Sequence, residues 1–314
     1  MLAYLLRRLL LSVPLLFLVS ILTFVVVALI PGDPAVRILG AGHTEAEYHA
    51  LDHKLGLTKP ILTQYGHWLG QVLHGSLGTS LFSLQSVSSE VNQRLGVTVS
   101  LVVGATLVSL VVGVGLGVAS VVWRGPLGRA IDAFSWAGFA IPNFWLGLIL
   151  VEYVAVKAKL LPPSGYVPLA QSPWDWLQSL ILPVLTLSAA GATGIAKQTR
   201  DALSEVMSRE FIVSMRLAGL SRGTILFRHG LRNAAIPIVT IVGLFAVAML
   251  GGTILVEQVF VLPGLGSLAV QAATDHDLPV IEGVVIYFTL IVVAVNLIID
   301  LSYALLNPRI RIAR

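Results

Sequence analysis

Apolar residues arrive along this chain in long, nearly unbroken runs instead of the alternation that marks half-buried strands or the stripes of surface helices. Runs of spanning length lie at Leu9–Ile30, Val97–Val122, Phe134–Ala155, Leu177–Ala196, Ile236–Val256 and Val280–Leu306. A backbone in hydrocarbon has no water to bond, so each run is predicted to be a helix that satisfies its own N–H and C=O groups. The fold class expected is therefore an all-α polytopic membrane protein with six transmembrane helices. The first run follows Arg7 and Arg8 and is interrupted only by Ser12, Pro14, Ser20 and Thr23. Its length as a helix, about 33 Å, exceeds a typical signal-peptide core and matches a bilayer, so it reads as a retained first span. Pro14, Pro142, Pro183 and Pro237 fall inside or at the starts of the runs, where neighbouring helices or hydroxyl side chains can take up freed carbonyls.

Two connections are longer than turns. In the first, residues 31–96, Thr44-Glu45-Ala46-Glu47 forms a capping box, followed by Tyr48, Leu51 and Leu55 on one helical side. Gly56 is placed to end that helix before Pro60, and Ile61–Leu73 offers Tyr65, Trp68 and Leu69 for packing in a second short helix. The second connection, residues 197–233, is basic. Within it Phe211, Met215 and Ala218 make an apolar stripe, Gly219 suits a left-handed cap, and Ser221 can start the next helix. Such a helix either lies on the membrane or enters a groove on another subunit.

Composition agrees with the runs: 56% of residues are hydrophobic and 11% charged, with a mean hydropathy of +0.88, outside the range of soluble domains. The net charge of +4 and the absence of a basic stripe around exposed aromatics argue against a nucleic-acid partner. With the amino terminus inside, 14 of the 20 Lys and Arg residues fall on the inner side, which predicts both termini in the cytosol, residues 31–96 outside and residues 197–233 inside.

Candidate chemistry is sparse. With no cysteine, disulfides, thiolate metal sites and cysteine nucleophiles are excluded. Six of the seven histidines, His43, His49, His53, His67, His74 and His276, lie in outer segments; His49 and His53 share a helical face, but two ligands do not make a metal site. No Ser/Lys, His/Glu or paired-aspartate arrangement lies within the spans, so no catalytic residue, cofactor or metal is expected in this chain. Gly104, Gly113, Gly115 and Gly117 read as a helix-packing surface and not as a phosphate loop, because no Lys-Ser/Thr pair follows. Asn296, Asp300, Tyr303 and Asn307 stack on one face of the last span, as a polar helix contact or part of an inner vestibule. Glu152, Glu257 and Glu282 fall toward the outer ends of three spans, either as an anionic ring of substrate contacts or as separate interfacial acids.

The stretch Arg216-Leu217-Ala218-Gly219-Leu220-Ser221, continued by Arg228-His229-Gly230-Leu231-Arg232-Asn233-Ala234-Ala235-Ile236-Pro237, resembles the coupling loop of binding-protein-dependent ABC transporter permeases, specifically the first permease subunit of the dipeptide/oligopeptide/nickel branch. Matching wording continues over nearly the whole chain: Pro31-Gly32-Asp33-Pro34, Gly75-Ser76-Leu77-Gly78 with Ser80, Ile141-Pro142-Asn143-Phe144-Trp145, Pro263-Gly264-Leu265-Gly266, Asp277-Leu278-Pro279, and Asn296 with Asp300. The wording departs from it in three places, with Val213-Ser214-Met215 for the family's Glu-Ala-Ala, Ser76 for an acid and Asn307 for a frequent Asp.

The resemblance implies a single permease domain over 1–314 in a bacterial or archaeal cytoplasmic membrane, forming half of an import pathway for dipeptides or oligopeptides, with nickel or another small solute as the alternative. It implies a second homologous permease, two cytosolic ATPases that bind ATP and Mg2+, and an extracytoplasmic solute-binding protein. Phe211, Met215, Arg216, Ala218, Gly219, Leu220, Ser221 and Arg222 would then meet the ATPase. A self-sufficient secondary transporter and a non-transporting scaffold subunit are the other classes considered.

Overall fold

The computed structural model describes residues 2–29, 32–40, 42–123, 128, 133 and 141–306. Apart from an isolated bridge between Thr79 and Ser86, every regular element among them is helical. In chain order these are α1 (Leu2–Leu29), α2 (Pro34–Leu39), α3 (Glu45–Leu55), α4 (Ile61–Leu73), α5 (Val87–Val122), α6 (Asn143–Leu150), α7 (Pro173–Met207), α8 (Glu210–Leu217), α9 (Leu231–Val259), α10 (Leu265–Asp275) and α11 (Leu278–Leu306). Two π-helical stretches join them, Val151–Lys157 continuing α6 and Thr224–Gly230 leading into α9.

Among the described residues five helical segments are long and apolar enough to cross a membrane: Arg7–Leu29, Val87–Val122, Pro173–Met207, Thr224–Val259 and Leu278–Leu306. The expected span Phe134–Ala155 is represented by the helix from Asn143 to Lys157, and residues 134–140 lie outside the described residues. Three helices outrun their apolar cores. α5 begins ten residues before the expected Val97, at Val87, through Ser88, Ser89, Glu90, Asn92, Gln93 and Arg94. α7 continues eleven residues past Ala196 to Met207, its polar end held by the i,i+4 pair Lys197–Asp201 at 3.0 Å. The π-helical lead puts the start of the fourth long segment at Thr224 instead of Ile236. Hydropathy finds where lipid begins; the hydrogen-bond ladder continues into water wherever helix formers and ion pairs support it.

The chain forms two compact units, one of residues Met1–Thr98 with Pro263–Ala294 and the other of Val99–Leu262 with Val295–Arg314. In the first, Val87, Val91, Leu265, Leu268, Ala272, Val280, Ile281 and Val284 form the buried core. α1 presents mostly exposed apolar side chains, and its hydroxyls turn back to the helix: Ser12 donates to the Arg8 carbonyl and Thr23 to that of Val19, which makes them tolerable in lipid. α4 packs on α1 through Tyr65, whose ring meets Phe24 edge-on at 5.4 Å and whose hydroxyl lies 2.9 Å from Ser20 Oγ.

The second unit is organised around α7, most of whose residues from Ser179 to Val206 are buried. Small residues let α5 approach it. A Cβ added at Gly113 would sit 2.7 Å from the Ala192 carbonyl oxygen, and one at Gly117 2.6 Å from that of Ala196. Across the same contact Ser109 donates to the Ser188 carbonyl at 2.9 Å. Gly191 on α7 would in turn collide with Met249 of α9. The glycine run is thus a packing surface, with Gly115 as the exception, since a Cβ there meets nothing. Gly113→Ala should therefore destabilise the folded protein in detergent by about 1–3 kcal/mol, whereas Gly115→Ala should be neutral or slightly stabilising; thermal unfolding of the two variants side by side checks this.

Candidate functional site

The basic connection folds into a short helix and a defined turn. α8 is anchored by Ile212, which is fully buried, and by Phe211, which packs against the cluster Ala202, Val206, Ala234 and Ile238. At its end the Gly219 N–H donates to the Arg216 carbonyl and the Leu220 N–H to that of Met215, while Gly219 takes φ +80°. Those two bonds and the left-handed glycine make a Schellman termination. Ser221 then caps the next turn, accepting from the Thr224 N–H at 3.2 Å.

This arrangement corrects the expected apolar stripe. Phe211 and Met215 are half-buried, Phe211 against the chain's own body. The apolar residues that face outward are Val213, Leu217, at 85% exposure, and Leu220, at the same four-and-three spacing two positions further along. Arg216, Ala218, Gly219, Ser221 and Arg222 are exposed beside them. A projecting, partly apolar, basic-edged turn on a rigid Schellman stop suits docking to another protein surface.

A second constellation gathers residues that sequence alone could not pair. Ser80 Oγ donates to Asp277 Oδ2 at 2.6 Å, and the Leu81 N–H donates to the same oxygen at 3.1 Å. Ser80 Oγ also accepts from the Phe82 and Ser83 N–H groups. Burial pushes the Asp277 carboxyl above its ordinary range, opposed by these donors. Beside it, a Cβ on Gly32 would fall 2.0 Å from His276 Nε2, and Arg37 pairs with Asp275 at 3.4 Å. Asp33 caps α2 through the Ala35 N–H at 2.8 Å and accepts from the Tyr48 hydroxyl at 2.6 Å; that bond holds the Tyr48 phenol up at about 12. Residues 32–48 and 80–83 are thereby clasped to the elbow between α10 and α11. The motifs were visible separately; their meeting was not.

The remaining candidates differ in their immediate surroundings. Glu152 is exposed and paired with Lys157 at 3.2 Å, whereas Glu257 and Glu282 are wholly buried, so the three acids do not share one environment. On α11 Asn296 is exposed and Asp300 buried. Tyr303 meets Thr240 Oγ1 at 2.7 Å, which favours a polar helix contact there; Asn307 lies outside the described residues. Among the described residues no group of three or more His, Asp or Glu is placed to hold a metal ion.

Residues 109–312 match the family described as binding-protein-dependent transport system inner membrane component, and residues 1–102 match its N-terminal membrane component. The chain belongs to this family. The permease is 36% identical over 316 residues to the oligopeptide transport system permease protein AppB of Bacillus subtilis (strain 168), covering 99% of each chain. It is 38% identical over 313 residues to the glutathione transport system permease protein GsiC of Salmonella choleraesuis (strain SC-B67), again over 99% of each. Among solved structures, a chain of the MetNI methionine ABC transporter in an inward-facing conformation superposes with a TM-score of 0.58 at 18% identity, covering 69% of the permease and 96% of that chain. That likeness establishes an ABC-permease-like, multi-pass membrane fold. The match to the N-terminal component, 1–102, nearly coincides with the N-terminal part of the first unit, Met1–Thr98, so the clasp described above joins that region to the elbow inside the main component. In the permease, Ser80→Ala should leave Asp277 short of a donor and free the loop amides, at a cost of about 1–3 kcal/mol. Hydrogen exchange should show faster loss of protection at Phe82 and Ser83 with little change in α7.

Proposed function

We propose that this permease subunit forms half of the translocation pathway of an ATP-driven importer for dipeptides or oligopeptides. Its likeness along the full chain to permeases named for oligopeptide and glutathione transport carries this reading. In it the permease has six transmembrane helices with both termini in the cytosol and pairs with a second, homologous permease. An extracytoplasmic solute-binding protein delivers the peptide. Two cytosolic ATPases bind ATP and Mg2+, since the permease has no Gly-rich loop ending in Lys-Ser/Thr.

The turn after α8 is the coupling surface. Its apolar contact comes from Val213, Leu217 and Leu220, with Arg216, Ser221 and Arg222 at the edge and Ala218 and Gly219 setting the direction of the chain. Phe211 transmits force, because it ties the turn to α7 and α9 through the cluster it packs on, and half-buried Met215 lies one turn along the same helix. A docking helix works as a lever only if its end is stiff, and Gly219 supplies the stiffness through a backbone conformation that a β-branched residue resists at about 1 kcal/mol or more. Since a Cβ at Gly219 meets no neighbour, its replacement perturbs the turn and not the packing.

Gly219→Val should lower ATP-driven peptide uptake severalfold while membrane abundance stays unchanged. In the unsubstituted transporter, single cysteines at Val213, Leu217 and Leu220 should crosslink to the ATPase. Normal uptake by an assembled transporter whose turn yields no such crosslinks would place the coupling surface elsewhere.

A further inference from the structure

Beside α1, the first unit contains a recess of about 290 Å³ that the clasp does not use. Its apolar floor includes Phe24, Leu57, Trp68, Leu278 and Pro279. His53, Lys54, Lys59 and His67 stand around it, and no carboxylate lines it. Trp68 is only 7% exposed, so its ring belongs to the packed part of that floor. Basic groups at the rim ask for an anion; the apolar floor asks for a hydrophobic body attached to it.

The surroundings select the source of that anion. The recess lies against Phe24 of α1, near side chains such as Leu22, Val25 and Val26 that are exposed and apolar on a membrane-spanning helix. α4 forms another wall and leaves Leu62 and Leu73 at 85% and 73% exposure, as a helix does when it lies in the bilayer interface. We propose that this recess is a binding site for an anionic phospholipid, with the headgroup phosphate between Lys54 and Lys59 and an acyl chain along α1 and the apolar edge of α4. Tryptophan with lysine at this depth also matches the chemistry of the membrane interface. By filling the gap between α1, α4 and the start of α11, the lipid would hold the N-terminal region in place.

The test is native mass spectrometry of the full permease titrated with dioleoylphosphatidylglycerol or dioleoylphosphatidylcholine, with inorganic phosphate as a separate competitor. One phosphatidylglycerol should bind at least about tenfold more tightly than phosphatidylcholine. Lys54→Gln with Lys59→Gln should remove that preference, and Lys54→Arg with Lys59→Arg should keep it. Unchanged thermal unfolding of the lipid-free variants separates lost binding from lost folding. Equal retention of both lipids, indifference to the lysine changes, or displacement by inorganic phosphate at comparable concentration would overturn the proposal. So would loss of solute-binding-protein association in the lysine variants with lipid preference intact.

Discussion

Every other feature of this permease depends on the absence of water in the bilayer core. An unpaired peptide group there costs several kcal/mol, so each crossing is a helix and each hydroxyl on a lipid-facing helix is spent on its own backbone, as with Ser12 and Thr23 on α1. Because lipid and leucine are equally apolar, the helices cannot be driven together by hydrophobicity alone. Close approach at Gly113, Gly117 and Gly191 replaces it, bringing backbone against backbone between α5 and α7 and seating the Met249 side chain of α9 against α7. Outside the core the constraint lifts, and the chain uses water-compatible devices: a capping box at Thr44 and Glu47, a glycine stop at Gly219, and a buried carboxylate gathering loop amides at Asp277.

What was legible in the sequence follows the same division. Local chemistry with strong punctuation was read correctly at both ends, as for Ile61–Leu73, which follows Pro60 and stops before Gly75. Span existence was legible where the described residues test it, because hydropathy measures transfer to lipid. Span ends were not, because α5 and α7 extend as helices through polar residues. The α8 region marks a deeper limit. Phe211-Met215-Ala218 and Val213-Leu217-Leu220 are apolar stripes with identical spacing, and periodicity cannot say which one meets the chain's own body. The position of Ala202, Val206, Ala234 and Ile238 decides it. Likewise Ser80 and Asp277 lie 197 residues apart, so only the fold can pair them.

Two mechanical elements emerge from this arrangement. One is the exposed turn after α8, stiffened by its Schellman bonds and rooted through Phe211 in the α7 and α9 packing. The other is the clasp that fastens the N-terminal helices α2 and α3 and the loop at Ser80 to the elbow before α11. In the proposed importer, the first would receive the movement of an ATPase and the second would hold the N-terminal helices to the elbow before α11.

The central claim is that transport by this permease is powered by ATP hydrolysed on partner subunits. Its most direct test is uptake of a labelled oligopeptide into proteoliposomes holding the permease, its homologous partner and the two ATPases, with the solute-binding protein on the peptide's side and ATP on the other. The account predicts uptake that requires ATP and the solute-binding protein, with no uptake or ATP hydrolysis by the permease alone. Uptake by the permease alone, driven by an imposed ion gradient, would contradict it.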